Sequence, residues 1–120
     1  FVMEKRKVLT LAIIFIVIVI SAFVIMSRNN GGISEELAKC IASKSELYVQ
    51  KGCIHCKTQE DMFGRSYKHL NKVDCFYTPE ICIVKGITAT PTWLINSEKY
   101  TGVQSIEKLK ELTGCIQFEK

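Results

Sequence analysis

Residues 8–26, VLTLAIIFIVIVISAFVIM, constrain what this chain can fold into more than any other feature. The run holds 19 residues without a charge, and Thr10 and Ser21 are its only hydroxyl side chains. As a helix rising 1.5 Å per residue it reaches roughly 28 Å, close to the hydrocarbon thickness of a bilayer. Its β-branched stretch (Ile13, Ile14, then Ile16 to Ile20) disfavours a helix in water. In lipid, a helix is how a single segment satisfies its own backbone. A cleaved signal peptide is the alternative, but its apolar core is about 7–15 residues and ends in a small-x-small site. Phe23-Val24-Ile25-Met26 offers no such site, so an uncleaved anchor contacting membrane lipid through residues 8–26 is expected. Lys5, Arg6 and Lys7 precede the run, with Glu4 offsetting one charge, and Arg28 alone follows closely. Positive-inside orientation then puts residues 1–7 in the cytoplasm and the C-terminal part outside, in a single-pass cytoplasmic-membrane protein.

The remainder divides into a polar, Gly-containing linker at 27–32 and one domain at 33–120, about 88 residues. A net charge of +4, dispersed along the chain, gives no basic patch for nucleic acid. Six cysteines in 120 residues are several times what a reduced intracellular domain needs, and an exported location lets thiol pairs persist.

Element signals alternate through the domain. Ser34 is an N-cap followed by Glu35 and Glu36, with Leu37, Cys40 and Ile41 on one helical face. Leu47 to Gln50 is expected as a strand, and Lys51-Gly52 as the turn out of it. Cys53 opens a helix whose apolar face is Met62, Phe63, Tyr67 and Leu70. A strand is expected over Val73 to Tyr77, then a short helix from Glu80 to Lys85 ended by Gly86. Thr92 to Ile95 and Lys99 to Thr101 form a hairpin around Asn96-Ser97-Glu98. Ser105 caps a last helix with Ile106, Leu109 and Leu112 inward and Gly114 as its stop. Helices alternating with strands predict an α/β fold, a mixed sheet flanked by helices. His69, beside Lys68 and Lys72, is expected on the solvated surface, Trp93 in the core, and Lys108, Lys110 and Glu111 on a solvated helix face.

The chemistry concentrates at Cys53-Ile54-His55-Cys56. Two cysteines with two residues between them fit one helical turn. The first, at a helix N-terminus, meets unpaired backbone N–H groups and the positive end of the dipole, which favour the nucleophilic thiolate. The second is placed to resolve a mixed disulfide. His55 between them is able to stabilise the thiolate. A static disulfide or half a metal site is the alternative for a bare C-x-x-C, and the preceding strand and following amphipathic helix argue against it. The second signal is Ala89-Thr90-Pro91-Thr92 before a strand, where a proline lacks no needed donor.

Together these motifs resemble the thioredoxin superfamily, over most of Leu47 to Gly114. His55 in third place looks like the DsbA-type oxidases, though these usually have proline where Ile54 stands. The likeness is nearest to thioredoxin-like domains associated with membrane vitamin K epoxide reductase homologues. It is carried by Leu37-Ala38-Lys39-Cys40, Gly52-Cys53-Ile54-His55-Cys56, Met62-Phe63-Gly64, Val73-Asp74-Cys75, Cys82 before Gly86-Ile87, Thr90-Pro91-Thr92-Trp93, Gly102-Val103-Gln104-Ser105 and Leu112-Thr113-Gly114-Cys115. The resemblance implies a thioredoxin-like fold and disulfide exchange between reduced exported client proteins and a quinone-coupled membrane oxidase. It makes Cys53 the nucleophile and Cys56 the resolving thiol. Pro91, expected cis, shapes with Thr90 and Ile54 the groove beside the sulfurs. It also favours Cys40–Cys115 and Cys75–Cys82 as structural disulfides, out of three possible connectivities. A redox-active Cys75–Cys82 pair is a further option. No cofactor and no metal is implied. Two departures bear on redox poise: Gly52 replaces the usual aromatic before the first cysteine, and Leu47 stands near the place of thioredoxin's buried acid, leaving Glu46 or Lys51 as substitutes. Isomerase or reductase activity on the same fold remains open. So does a zinc-binding module using Cys53, Cys56, Cys75 and Cys82, or an inert disulfide-stapled interaction domain.

Overall fold

The computed structural model describes residues 2–28 and 31–118 and divides into two units, Phe1–Asn30 and Gly31–Lys120. The first unit is one helix, α1 (Val2–Arg28), which continues beyond both ends of the apolar run. Its segment Val2–Ser27 is long and apolar enough to cross a membrane.

In the second unit, α2 (Glu35–Ser43) starts where the Ser34 hydroxyl oxygen accepts the Leu37 N–H at 3.3 Å. Leu37, Ala38, Ile41 and Ala42 form its buried stripe at helical spacing. Strand β1 (Ser45–Val49) leads to α3 (Ile54–Phe63), followed by a 3₁₀ turn at Arg65–His69 and the short strand β2 (Lys72–Asp74). Helix α4 (Pro79–Val84) has proline in its first turn, where a missing N–H costs nothing. The hairpin β3 (Thr92–Ile95) and β4 (Glu98–Thr101) precedes α5 (Ile106–Thr113), capped by Ser105, whose hydroxyl accepts the Lys108 N–H at 3.1 Å.

The sheet order is β2-β1-β3-β4, with β1 and β2 parallel and the other pairs antiparallel. Leu47 pairs with Trp93, and with Ile95 they face a core shared with Leu37 and Ile41 of α2, Phe63 of α3 and Leu109 of α5. The Phe63 and Trp93 rings stack at 5.8 Å between centroids. Strand alternation turns Tyr48 and Thr92 the other way, and both are buried, so both sheet faces are covered. This is a thioredoxin-like fold, a mixed sheet flanked by helices.

Three elements differ from expectation. The helix from Cys53 does not run on to Leu70: α3 stops at Phe63, because Gly64 takes φ +57 and ψ −133 and pairs with Gly32 in an isolated bridge. Tyr67 lies on the 3₁₀ turn and Leu70 just after it, yet both still pack on the core. Strand β2 ends at Asp74 rather than Tyr77, because the Asp74 carboxylate accepts the Phe76 N–H at 2.9 Å and its carbonyl accepts the Tyr77 N–H at 3.1 Å, bending the chain. The hairpin turn is two residues, Asn96 and Ser97 at φ +51 and +66, while Glu98 pairs with Ile95 inside β4. Positive φ at both positions matches the twist of the flanking strands.

A side chain at Gly64 would meet the Gly31 carbonyl and would strain the backbone. Gly64→Ala is therefore expected to lower stability by about 2 kcal/mol, read by chemical denaturation. An unchanged midpoint would show that this close approach is dispensable.

Candidate active site

Cys53 is the N-cap of α3, with φ −79 and ψ 114. Its sulfur accepts the Cys56 N–H at 3.1 Å, so a backbone donor at the positive end of the helix points at the sulfur. That bond strengthens when the sulfur carries charge, which is the physical basis for stabilising a thiolate here. Cys53 and Cys56 are joined in a disulfide with Cα atoms 5.2 Å apart. Cys53 is half-buried, while Cys56 is only 6% exposed. An incoming thiolate thus meets Cys53 first. Gly52, at φ +83, turns the chain from β1 into this cap, and a side chain there would touch nothing, so conformation rather than space selects glycine.

The Thr90 carbonyl oxygen lies 3.5 Å from the Cys53 sulfur. The Thr90–Pro91 peptide bond is cis, and Pro91 is buried. The loop is held by the Thr92 hydroxyl donating to the Ala89 carbonyl at 2.7 Å and the Gly102 N–H donating to the Pro91 carbonyl at 2.7 Å.

Beside the sulfurs is a cleft of about 460 Å³ lined by Lys51, Cys53, Ile54, Cys56, Glu60 and Asp74, among others. Ile54 is 80% exposed on its lip. The Thr90 carbonyl approaches the Cys53 sulfur from outside this cleft, whose lining includes neither Thr90 nor Pro91. His55 is exposed and makes no hydrogen bond among the described residues; the structure does not join it to either sulfur. Tyr67 also lines the cleft. Burial, then the charges of Glu60 and Asp74, push its pKa up to about 12, so it stays a neutral phenol at ordinary pH.

Of the two residues suggested for proton handling, only Lys51 lines the cleft. Glu46 instead accepts the Tyr48 hydroxyl at 2.6 Å. Leu47 is fully buried in the apolar core. The acids in the cleft are Glu60 and Asp74, which the sequence did not single out. Glu60 follows Cys56 by four residues, the spacing that puts two side chains on one helix face. Lys57 pairs with Asp61 at 3.0 Å and Glu60 at 3.4 Å.

Gln59 was also missed. It is fully buried; its amide oxygen accepts the Trp93 indole N–H at 3.0 Å and the Gln104 N–H at 2.8 Å, and its amide nitrogen donates to the Gln104 carbonyl at 3.1 Å. One amide thus ties the redox helix to β3 and to the loop before α5. Its spacing from Cys56 and Phe63, three and four residues, was the available signal. Gln59→Leu would strand those partners in the core and is expected to cost about 2 kcal/mol, again by denaturant titration. Stability equal to wild type would mean that water or rearrangement replaces the amide.

The other cysteines are paired as Cys40–Cys115 and Cys75–Cys82, with Cα separations of 6.0 and 5.7 Å. His69 is not on the solvated surface: its side chain is 20% exposed, with Nε2 buried 3.5 Å from the Glu35 carboxylate, because the 3₁₀ turn packs on α2.

The sheet order, the C-x-x-C capping α3 and the cis-proline loop against its sulfur together make up a thioredoxin-like fold. The chain is similar to the thiol-disulfide oxidoreductase LTO1 of Arabidopsis thaliana, 37% identical over an alignment of 99 residues that covers 74% of this chain. It spans about a quarter (26%) of that protein's length. No protein-family model matches the chain. Among solved structures, the oxidised thioredoxin of Plasmodium falciparum aligns with 71% of this chain and 96% of its own, at 20% identity and a TM-score of 0.44. The NTD_N/C domain of alkylhydroperoxide reductase AhpF from Enterococcus faecalis aligns with 70% of this chain and 46% of its own, at 19% identity and the same TM-score.

Proposed function

We propose that the chain is a thiol–disulfide oxidoreductase, tethered to a membrane by α1 with its domain on the exported side, and that it works as an oxidase. The observation that carries this reading is the Cys53 sulfur: reachable from the cleft, held at a helix N-terminus by the Cys56 N–H, and bonded to a buried partner. A client thiolate attacks the Cys53 sulfur, forming a client–Cys53 disulfide and releasing Cys56 as thiolate. A second client thiolate attacks the client sulfur of that bond and releases Cys53. The client leaves with a disulfide, and its two electrons and two protons remain on the Cys53–Cys56 pair as two thiols. The Thr90–Pro91 loop borders the attacked sulfur, and Cys40–Cys115 and Cys75–Cys82 act as structural staples. By its family resemblance the domain is returned to the disulfide by a quinone-coupled membrane oxidase like the vitamin K epoxide reductase homologues. The resemblance to LTO1, itself named a thiol-disulfide oxidoreductase, supports the activity.

A zinc-binding module would use Cys53, Cys56, Cys75 and Cys82 as thiolates, and stoichiometric zinc in protein purified without reductant would favour it. Equilibration of the full-length protein with a glutathione series tests the direction. A potential of roughly −120 to −180 mV for the Cys53–Cys56 pair fits an oxidase or isomerase, and one near −270 mV a reductase. A pair that resists reduction altogether would leave an inert staple and sink the proposal.

A further inference from the structure

We infer that Phe76, Tyr77, Ile81 and Val84 form a docking subsite for an extended apolar segment of the client polypeptide, next to its reacting cysteine. This rests on the exchange activity proposed above and adds what the substrate must carry.

These side chains are unusually open for their chemistry. Phe76 is 55% exposed, Tyr77 65%, Ile81 45% and Val84 85%. In the six residues of α4 only Cys82 is buried, so its aliphatic side chains do not serve the core. Single exposed apolar residues need no explanation, but a cluster on one turn and one helix marks an interaction surface.

The aromatic part of this surface is continuous with the cleft. Lys51 lines the cleft, and its ammonium sits 5.5 Å from the Phe76 ring centre and 5.8 Å from that of Tyr77. The Asp74 carboxylate, also in the cleft wall, accepts the Lys51 N–H at 3.3 Å and the Phe76 N–H at 2.9 Å. One carboxylate therefore holds both the cleft's edge and the aromatic turn. The two rings meet edge-to-face at 5.1 Å, and the Cys75–Cys82 disulfide fastens the turn to α4. Rings held in this way lose little freedom on binding, which favours affinity.

The site of attack names the occupant. A client thiol at Cys53 lies in the cleft, so the residues flanking it in the client pass over Lys51 toward the rings. Extended chain advances about 3.3 Å per residue, so a few residues span such a path. Within the domain, Gly32 bridges Gly64 at the end of α3. The ten residues of α3 separate that point from Cys53 by about 15 Å. The aromatic turn follows β2, which runs parallel to β1 and so ends on the Cys53 side.

The test uses the full-length protein in nanodiscs and two reduced dithiol peptides of equal length, one with phenylalanine and leucine flanking its cysteines, the other with serine. Wild type should oxidise the apolar peptide with a kcat/KM about tenfold higher, a factor equivalent to about 1.4 kcal/mol. The Phe76→Ser/Tyr77→Ser double variant and Val84→Ser should erase that preference. Both should leave oxidation of glutathione and the Cys53–Cys56 potential unchanged. Equal rates with both peptides in wild type, or a preference that survives the substitutions, would overturn the subsite. A preserved preference with lost self-association or lost lipid contact would assign the patch to a second copy or to the bilayer instead. Wild type that oxidises neither peptide nor glutathione would overturn the activity itself.

Discussion

Cys53→Ser is expected to abolish exchange, lowering client oxidation by about a thousandfold or more, whereas Cys56→Ser, given a disulfide-bonded client, should stop at the client–Cys53 mixed disulfide. The two sulfurs differ in reach and in setting. Cys53 is half-buried at the cleft and receives the Cys56 N–H, so it both meets the client and is stabilised when it leaves as thiolate. Cys56 is 6% exposed and one turn inside α3. Without it, a mixed disulfide on Cys53 has no internal thiol to release it. Non-reducing electrophoresis of both variants after incubation with a disulfide-bonded client reads the difference: the Cys53 thiolate opens the client disulfide, joins one client sulfur and frees the other as thiolate. Adducts on Cys53→Ser, or on both variants equally, would assign the nucleophile wrongly.

The largest expected effect on stability comes from Cys40→Ala/Cys115→Ala. The bond joins α2 to the residue just past α5, closing a loop with a sequence separation of 75. A loop of that length is credited with about 4 kcal/mol in the chain-entropy account. In a domain this small that corresponds to a fall of roughly 20 °C in Tm. Cys115 is fully buried among the core side chains, so the truncation also leaves a small void. Thermal unfolding of the full-length variant in nanodiscs, followed by circular dichroism, measures the shift. A fall of under about 5 °C would show that core packing alone holds the ends together.

Much of this was legible in the sequence because it is written locally. Ser34 and Ser105 cap helices with their own hydroxyls, and Cys53 caps α3 by its own sulfur. What escaped depends on segments distant in the chain. The apolar spacing of Met62, Phe63, Tyr67 and Leu70 continues through Gly64, because periodicity records side chains and not the backbone of Gly32 alongside. Gln59 sits among Lys57, Thr58, Glu60 and Asp61 and reads as one more solvated residue until Trp93 and Gln104 arrive from elsewhere. His69 has lysine neighbours in sequence, yet α2 packs beside it. Glu60 and Asp74 meet at the cleft only because β2 pairs with β1, laying the Asp74 turn next to Lys51.

The bridge between Gly32 and Gly64 also sets where mechanical load would travel. A pull on the chain from its N-terminal side reaches the domain at Gly32 and is passed to the end of α3 remote from the disulfide. Whatever continues along α2 meets the covalent bond from Cys40 to Cys115 and is diverted to the far terminus of the fold. Neither the bridge nor that disulfide includes the turn at Gly52 that leads into Cys53.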